Sequence, residues 1–235
     1  MIKHYLKVAF RNLMKYKTQS LVSIIGLAVG FTCFALSVLW IRYEMTYDTF
    51  HKGAERIYMV RAHYTDIPEH ISNSTPYPLA AYLQEKMPEI EAKATTSIHQ
   101  NVKIRMENDE YEVVMAAADS AFMNFFHIQL LKGTVNFLKE NNPEIAVTEE
   151  FAKKLFGSED DALGKEMEVN GRSRQIGAIV SGWSRHSNIP YSVLVAARHS
   201  PRWKSGPEQL FIRVRAGMDM DTFWKKISTM DLSLI

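Results

Sequence analysis

The sequence predicts an α+β protein behind one N-terminal transmembrane helix. Three observations predict it. From Thr18 to Ile41 the chain runs 24 residues without a charge, TQSLVSIIGLAVGFTCFALSVLWI. Upstream, residues 1–17 hold five bases and no acid. Downstream, short alternating apolar runs that read as strands are interleaved with segments that carry helix caps.

Charge and cysteine content exclude several classes. The chain of 235 residues has 28 Lys+Arg against 26 Asp+Glu, a net of +2. Removing the five N-terminal bases leaves 23 bases against 26 acids in residues 18–235, so the basic charge is local. A strongly basic nucleic-acid binder is excluded on bulk charge, and no nucleic-acid partner is expected. The single cysteine, Cys33, forbids an intramolecular disulfide and argues against a thiolate zinc site.

Residues 1–17 read as a cytoplasmic amphipathic helix. Ile2, Tyr5, Leu6, Ala9, Phe10, Leu13 and Met14 recur at steps of three and four, and Lys3, Lys7, Arg11 and Lys15 recur every four on another face. Such a helix lies on a lipid surface with its bases toward anionic headgroups, so membrane lipids are an expected partner. Residues 18–43 follow as the transmembrane helix. At about 1.5 Å per residue the uncharged run spans roughly 36 Å, enough for a bilayer core of about 30 Å. A buried core helix rarely runs so far without a charge. A cleaved signal peptide has a shorter apolar region, and here apolar sequence continues past Ala35-Leu36-Ser37 through Ile41. An uncleaved anchor is favoured. The bases before the span place the N-terminus in the cytoplasm and residues 44–235 outside it, in a periplasm, with Trp40 and Tyr43 at the outer interface. Within the span Gly26 and Gly30 form G-x-x-x-G, and Ser23, Gly26, Gly30, Cys33 and Ser37 make one face of small residues that another helix can approach closely.

The exported part reads as alternating strands and helices. Glu55–Tyr64 is strand-like. Ser74–Pro78 opens a helix with Leu79, Tyr82, Leu83 and Met87 on its apolar face, which Pro88 stops. Residues 93–106 and 111–118 form a hairpin. Asp119 or Ser120 caps a short helix through Phe126, and Thr148 caps a second that Gly157 ends. Asn170-Gly171 is the strongest hairpin turn in the chain. Val193–Ala196 and Gln209–Arg215 are later strands, and Asp221 begins a final helix with Phe223, Trp224 and Ile227.

Motifs for chemistry are nearly absent. There is no G-x-x-x-x-G-K-[ST] and no G-x-S-x-G, so neither a phosphate loop nor a nucleophile elbow is expected. His63 and His70 with Asp66 and Glu69 read as solvated loop rather than metal ligands. In Ser184-Arg185-His186-Ser187 neighbours on an extended chain point apart, so no Ser–His pair is expected. No enzyme activity, cofactor or metal is predicted.

The order of segments resembles the MacB/FtsX-like permeases of ABC transporters. The resemblance rests on MIKHYLKVAFRNLMKYKTQSLVSIIGLAVGFTCF, with R-N-L…K and I-x-G-L-x-x-G, on YDTFHKGAERIYMVR, on PYPLAAYLQEKMPEIEA, on AADSAFMNFFHIQLLKGT, and on NNPEIAVTEEFAKKLFG with ALGKEMEVNG. SGWSRHSNIPYSVLV departs from the family pattern at Trp183 and Arg185, where a smaller residue and an acid are usual. The resemblance implies a two-lobed periplasmic domain. Lobe one, a split β-α-β arrangement, covers 55–106 and 205–235, and a mixed α/β lobe, 107–204, is inserted in it.

It also implies a non-catalytic permease subunit of the bacterial inner membrane that couples a separate cytoplasmic ABC ATPase to periplasmic rearrangement. A second permease copy or homologue and a periplasmic adaptor are further implied partners. Such proteins export small molecules or peptides, or transmit force across the membrane. Full members carry three more membrane helices, which makes this chain a fragment or truncated product. The few residues after Met230 are then too short to complete lobe one, whose sheet is expected to lack a strand. A stand-alone membrane-anchored sensor or binding domain is the alternative.

Overall fold

A computed structural model describes residues 2–63, 71–106, 109–183, 186–200, 202–203 and 208–230. Tyr64, the His70/Asp66/Glu69 group, Ser184, Arg185 and the residues after Met230 lie outside them. Two compact units are present, residues 1–47 and 48–235.

The first unit is helical. α1 (Ile2–Lys15) and α2 (Lys17–Glu44) are separated by Tyr16 alone, whose φ of −109° and ψ of 56° break the helical path. α2 holds 28 residues and none is buried. It is long and apolar enough to cross a membrane.

In the second unit Ala54–Arg56 makes a 3-10 turn into β1 (Ile57–Val60) and β2 (Ala62–His63), and β2 pairs with β3 (Ile71–Ser72). α3 (Tyr77–Lys86) starts after Pro76, accepts Pro78 in its first turn where no helical N–H is required, and stops ahead of Pro88. β4 (Ile90–Met106) and β5 (Asp109–Ala118) form the expected hairpin. α4 (Phe122–Phe126) begins after Ala121 rather than after Asp119 or Ser120. Asp119 still serves its start, accepting from the Ala121 N–H at 3.0 Å while its other oxygen takes the Thr95 N–H and hydroxyl.

β6 (Leu130–Gly133) leads through a 3-10 turn at Val135–Leu138 to β7 (Ile145–Thr148). α5 (Glu149–Phe156) is capped as its sequence predicts, by Thr148 Oγ1 accepting from the Phe151 N–H and by Gly157 at φ 80°. After α6 (Glu159–Ala162), β8 (Glu166–Val169) and β9 (Arg172–Val180) turn on Asn170-Gly171, with φ of 49° and 76°. β10 (Val193–Ala196) and β11 (Gln209–Val214) follow. α7 (Met220–Ser228) is capped by Asp219, two residues ahead of the expected Asp221.

Nine strands form one mixed sheet in the order β1-β11-β4-β5-β10-β7-β9-β6, with β8 pairing β4 and β9. Side-chain alternation divides the core by face. Phe211, Ala116, Ala118, Leu194, Ala146, Ala178 and Val180 point to one face, which α4 and the turn bearing Phe137 cover. On the other face Leu210, Ile212 and Val214 pack with α3 and α7, while Val113, Val193, Ile145, Val147, Ile176 and Ile179 pack with α5.

β4 crosses both regions because its pairing slips between His99 and Val102. Ala92, Ala94 and Ile98 join the first face, but Val102 and Ile104 join the second. One extra residue in a strand inverts the side chains beyond it, and Asn101 absorbs it at φ 53°.

Candidate functional site

The residues expected on two helix faces lie on α1 and α2. Lys3, Lys7, Arg11 and Lys15 are all exposed on α1, and so are Tyr5, Phe10, Leu13 and Met14, at 67%, 66%, 47% and 53%. An apolar stripe of this size facing water is a membrane or protein contact. On α2, steps of three and four residues hold Ser23, Gly26, Gly30, Cys33 and Ser37 to one side of the helix. A Cβ built on Gly26 or Gly30 would meet nothing within 4 Å. Ser37 Oγ donates to the Cys33 carbonyl at 2.9 Å, and Thr32 Oγ1 donates to that of Ala28 at 2.8 Å. These hydroxyls are therefore satisfied within the helix and compatible with a lipid or helix environment.

A second constellation sits at the start of the second unit. Asp48 adopts φ 56°, a left-handed conformation that aspartate tolerates better than most residues. Its N–H donates to the His186 carbonyl. Its carboxylate accepts from Ser187 Oγ, from the Asn188 N–H at 3.2 Å and from Asn188 Nδ2 at 2.9 Å. Ser187 is thus a strut for this turn. The turn continues to Ile189, whose carbonyl accepts from Trp183 Nε1 at 2.8 Å.

Trp183 is the centre of an aromatic cluster. Its ring centroid lies 4.8 Å from those of His51 and Tyr191, 5.5 Å from Phe126 and 5.9 Å from Phe122. His51, 7% exposed, is held among Phe50, Phe126 and Trp183. Burial lowers its pKa, and the proximity of His127 adds to this, while Asp48 and a bond to the Phe126 backbone oppose it. The Nε2 atom has no hydrogen-bond partner among the described residues, and Asp48 Oδ1 stands 3.8 Å away. Sequence reasoning missed Asp48 and His51 as a unit. Trp183 was visible only as a departure from the family pattern.

Titration of His51 gives a testable pH dependence. Unfolding releases the ring to water, where its pKa returns to about 6.5. The unfolded chain therefore binds more protons than the folded one just below that pH. The stability contribution of neutral His51 is complete above about pH 6.5 and is lost as pH falls toward the lowered native value. Melts of the full chain in detergent between about pH 5 and 8 should show this loss in wild type and a flatter profile in His51→Phe. Parallel profiles would refute the assignment, since His127, also lowered, is common to both proteins.

No group of three or more His, Cys, Asp or Glu able to hold a metal occurs among the described residues.

The profile of the MacB-like periplasmic core domain matches residues 20–230. No curated protein sequence matches the chain. Solved structures share the fold, among them the following three. A domain of a protein described as a permease, from Porphyromonas gingivalis, superposes with a TM-score of 0.63 at 21% identity, covering 78% of this chain and 88% of its own. The periplasmic region of MacB from Actinobacillus actinomycetemcomitans gives 0.53 at 12% identity, over 73% of this chain and 79% of its own. The extracellular domain of the noncanonic ABC-type transporter YknZ from Gram-positive bacteria gives 0.52 at 12%, over 71% and 86%. These identities establish likeness of fold alone. The profile match takes in most of α2 as well as the sheet domain, and on that breadth the chain belongs to the family of MacB-like periplasmic core domains found in ABC-type permeases.

Proposed function

We propose that the chain acts as the membrane subunit of an ABC-type export or mechanotransmission system. It couples a separate cytoplasmic ATPase to rearrangement of its periplasmic domain and performs no catalysis itself. The observation that carries this reading is the joint match of the family profile to α2 and the sheet domain, residues 20–230. In this reading α1 lies on the cytoplasmic leaflet of the inner membrane, with Lys3, Lys7, Arg11 and Lys15 toward anionic lipid and the ATPase. α2 crosses the bilayer, and the sheet domain works in the periplasm. The packing of Leu210, Ile212 and Val214 with α3 and α7 supports a lobe built from 55–106 and 205–235, while Val102 and Ile104 at the end of its first stretch pack with the α5 cluster of 107–204.

Two measurements test the reading together. Alkaline phosphatase fused after residue 60 should be active, and a photocrosslinker at Lys7 should join the chain to an ATP-binding polypeptide in native membranes. An inactive fusion, or ATP labelling of the isolated chain itself, would overturn it.

We infer that the small-residue face of α2 packs on a second permease copy or homologue. Close approach of two helices needs the missing side chains of Gly26 and Gly30. Gly30→Leu should weaken self-association about tenfold in a membrane two-hybrid assay, whereas Leu21→Ala, on the opposite side of the helix, should leave it unchanged. Equal signals from both variants would remove the face from the interface.

A further inference from the structure

A cleft of about 440 Å³ opens beside the start of α3, the β5–α4 turn and the stretch that follows β10. Val135 and Leu138 give it an apolar wall. Its polar wall holds Tyr77, Asp119, Glu140 and His199. This volume is in the range of small-molecule sites, about 300–1,000 Å³.

The polar wall is built from behind. Glu208 is 2% exposed, and Thr75 pins it by donating its N–H and hydroxyl to the Glu208 carbonyl at 2.7 and 3.2 Å. Glu208 Oε1 lies 3.2 Å from His199 Nδ1. This contact holds the His199 ring against a buried carboxylate. The His199 ring is locked further by stacking on Tyr77, with centroids 3.7 Å apart and planes 11° from parallel. Glu208 Oε2 has no hydrogen-bond partner among the described residues.

Acceptors and negative charge dominate this wall. Asp119 spends its oxygens on Ala121 and Thr95. Glu140 is exposed and makes no ion pair among the described residues. Lys139 is the only basic residue other than His199 in the lining. Burial raises the pKa of the Tyr77 hydroxyl, and Asp119, Glu208 and Glu140 each raise it further.

We propose that this cleft binds a small amphiphilic cation, its protonated amine set between Glu140 and His199 and its apolar body against Val135 and Leu138. An ammonium group pairs with the Glu140 carboxylate, which makes no ion pair among the described residues, and an apolar body covers side chains now facing water. Anions would meet that carboxylate, and neutral alcohols would forgo the charge term.

Fluorine NMR on the full chain in phosphatidylcholine nanodiscs tests this with three probes of equal bulk: 4-fluorophenethylammonium, 2-(4-fluorophenyl)ethanol and 3-(4-fluorophenyl)propanoate. The cation should bind saturably and at least tenfold more tightly than the other two. Glu140→Gln should weaken it about fivefold, and Val135→Trp, which fills the cleft from an exposed position, should abolish most of the binding. Melting temperatures of both variants should match wild type, because neither side chain is buried. Non-saturable partitioning of the cation, equal affinity for all three probes, or insensitivity to both substitutions would overturn the proposal.

Discussion

Trp183→Ala should destabilise the sheet domain by about 3 kcal/mol, near the lower end of the usual range for aromatic-to-alanine truncations because the indole is only half-buried. The loss has two parts. The ring separates His51, Phe122, Phe126 and Tyr191, so its removal leaves a void in the middle of the aromatic cluster. Its N–H is also the donor to the Ile189 carbonyl, in the turn that Asp48 ties to the start of the domain. Trp183→Phe keeps most of the ring and loses the bond, and should cost only about 1 kcal/mol. Urea denaturation of the full chain in detergent, followed by circular dichroism, measures both. A Trp183→Ala cost under about 1 kcal/mol would show that the cluster relaxes around the gap and that Trp183 is no keystone.

Local signals in this chain were legible, and pairings over long sequence distances were not. Thr148, Gly157 and Asn170-Gly171 act within a few residues of themselves, and each performs in the structure the role its local chemistry dictates. The β4–β5 hairpin was readable for the same reason. β7 gave no alternation because Ile145, Ala146, Val147 and Thr148 are all buried, between β10 on one side and β9 on the other. A short run apolar on both faces carries no period that separates strand from loop. The slip in β4 was equally hidden, since Asn101 shows its purpose only when β5 fixes the register.

The functional residues divide along the same line. The faces of α1 and α2 follow from helical periodicity alone, so Lys3 to Lys15 and Ser23 to Ser37 were found by counting. Asp48 meets Ser187 and Asn188 across about 140 residues of sequence. His199 meets Tyr77 across a comparable distance and Glu208 across a stretch without a motif. No spacing rule connects such pairs. The departure of Trp183 from the resembled family pattern was a sequence signal pointing toward the cluster, where its ring packs among His51, Phe122, Phe126 and Tyr191.

Gly133→Ala should be the more damaging of two glycine substitutions that look alike in sequence. Gly133 has φ 81° and Gly157 has φ 80°, so an added Cβ meets the same backbone strain at both. That strain costs roughly 1–2 kcal/mol. The surroundings differ. At Gly157 nothing lies within 4 Å of the new atom, whereas at Gly133 it would sit 2.1 Å from the Gly177 carbonyl oxygen and 2.8 Å from Ala178 Cα. Both obstacles are backbone of β9, which cannot rotate away as a side chain would. β6 must then separate from β9, breaking the Gly133–Ala178 pairing and disturbing Ala178 and Val180 in the core beneath α4. We expect Gly157→Ala to cost about 1 kcal/mol and Gly133→Ala about 3–5 kcal/mol, the range of the severest single substitutions. Urea denaturation of the full chain gives the totals. Hydrogen exchange at the amides of Lys132 and Ala178 shows whether β6 detaches locally at the sheet edge or takes the domain with it. Equal costs at the two glycines would mean that the close approach of β6 to β9 relaxes freely and that positive φ alone selects glycine at both sites.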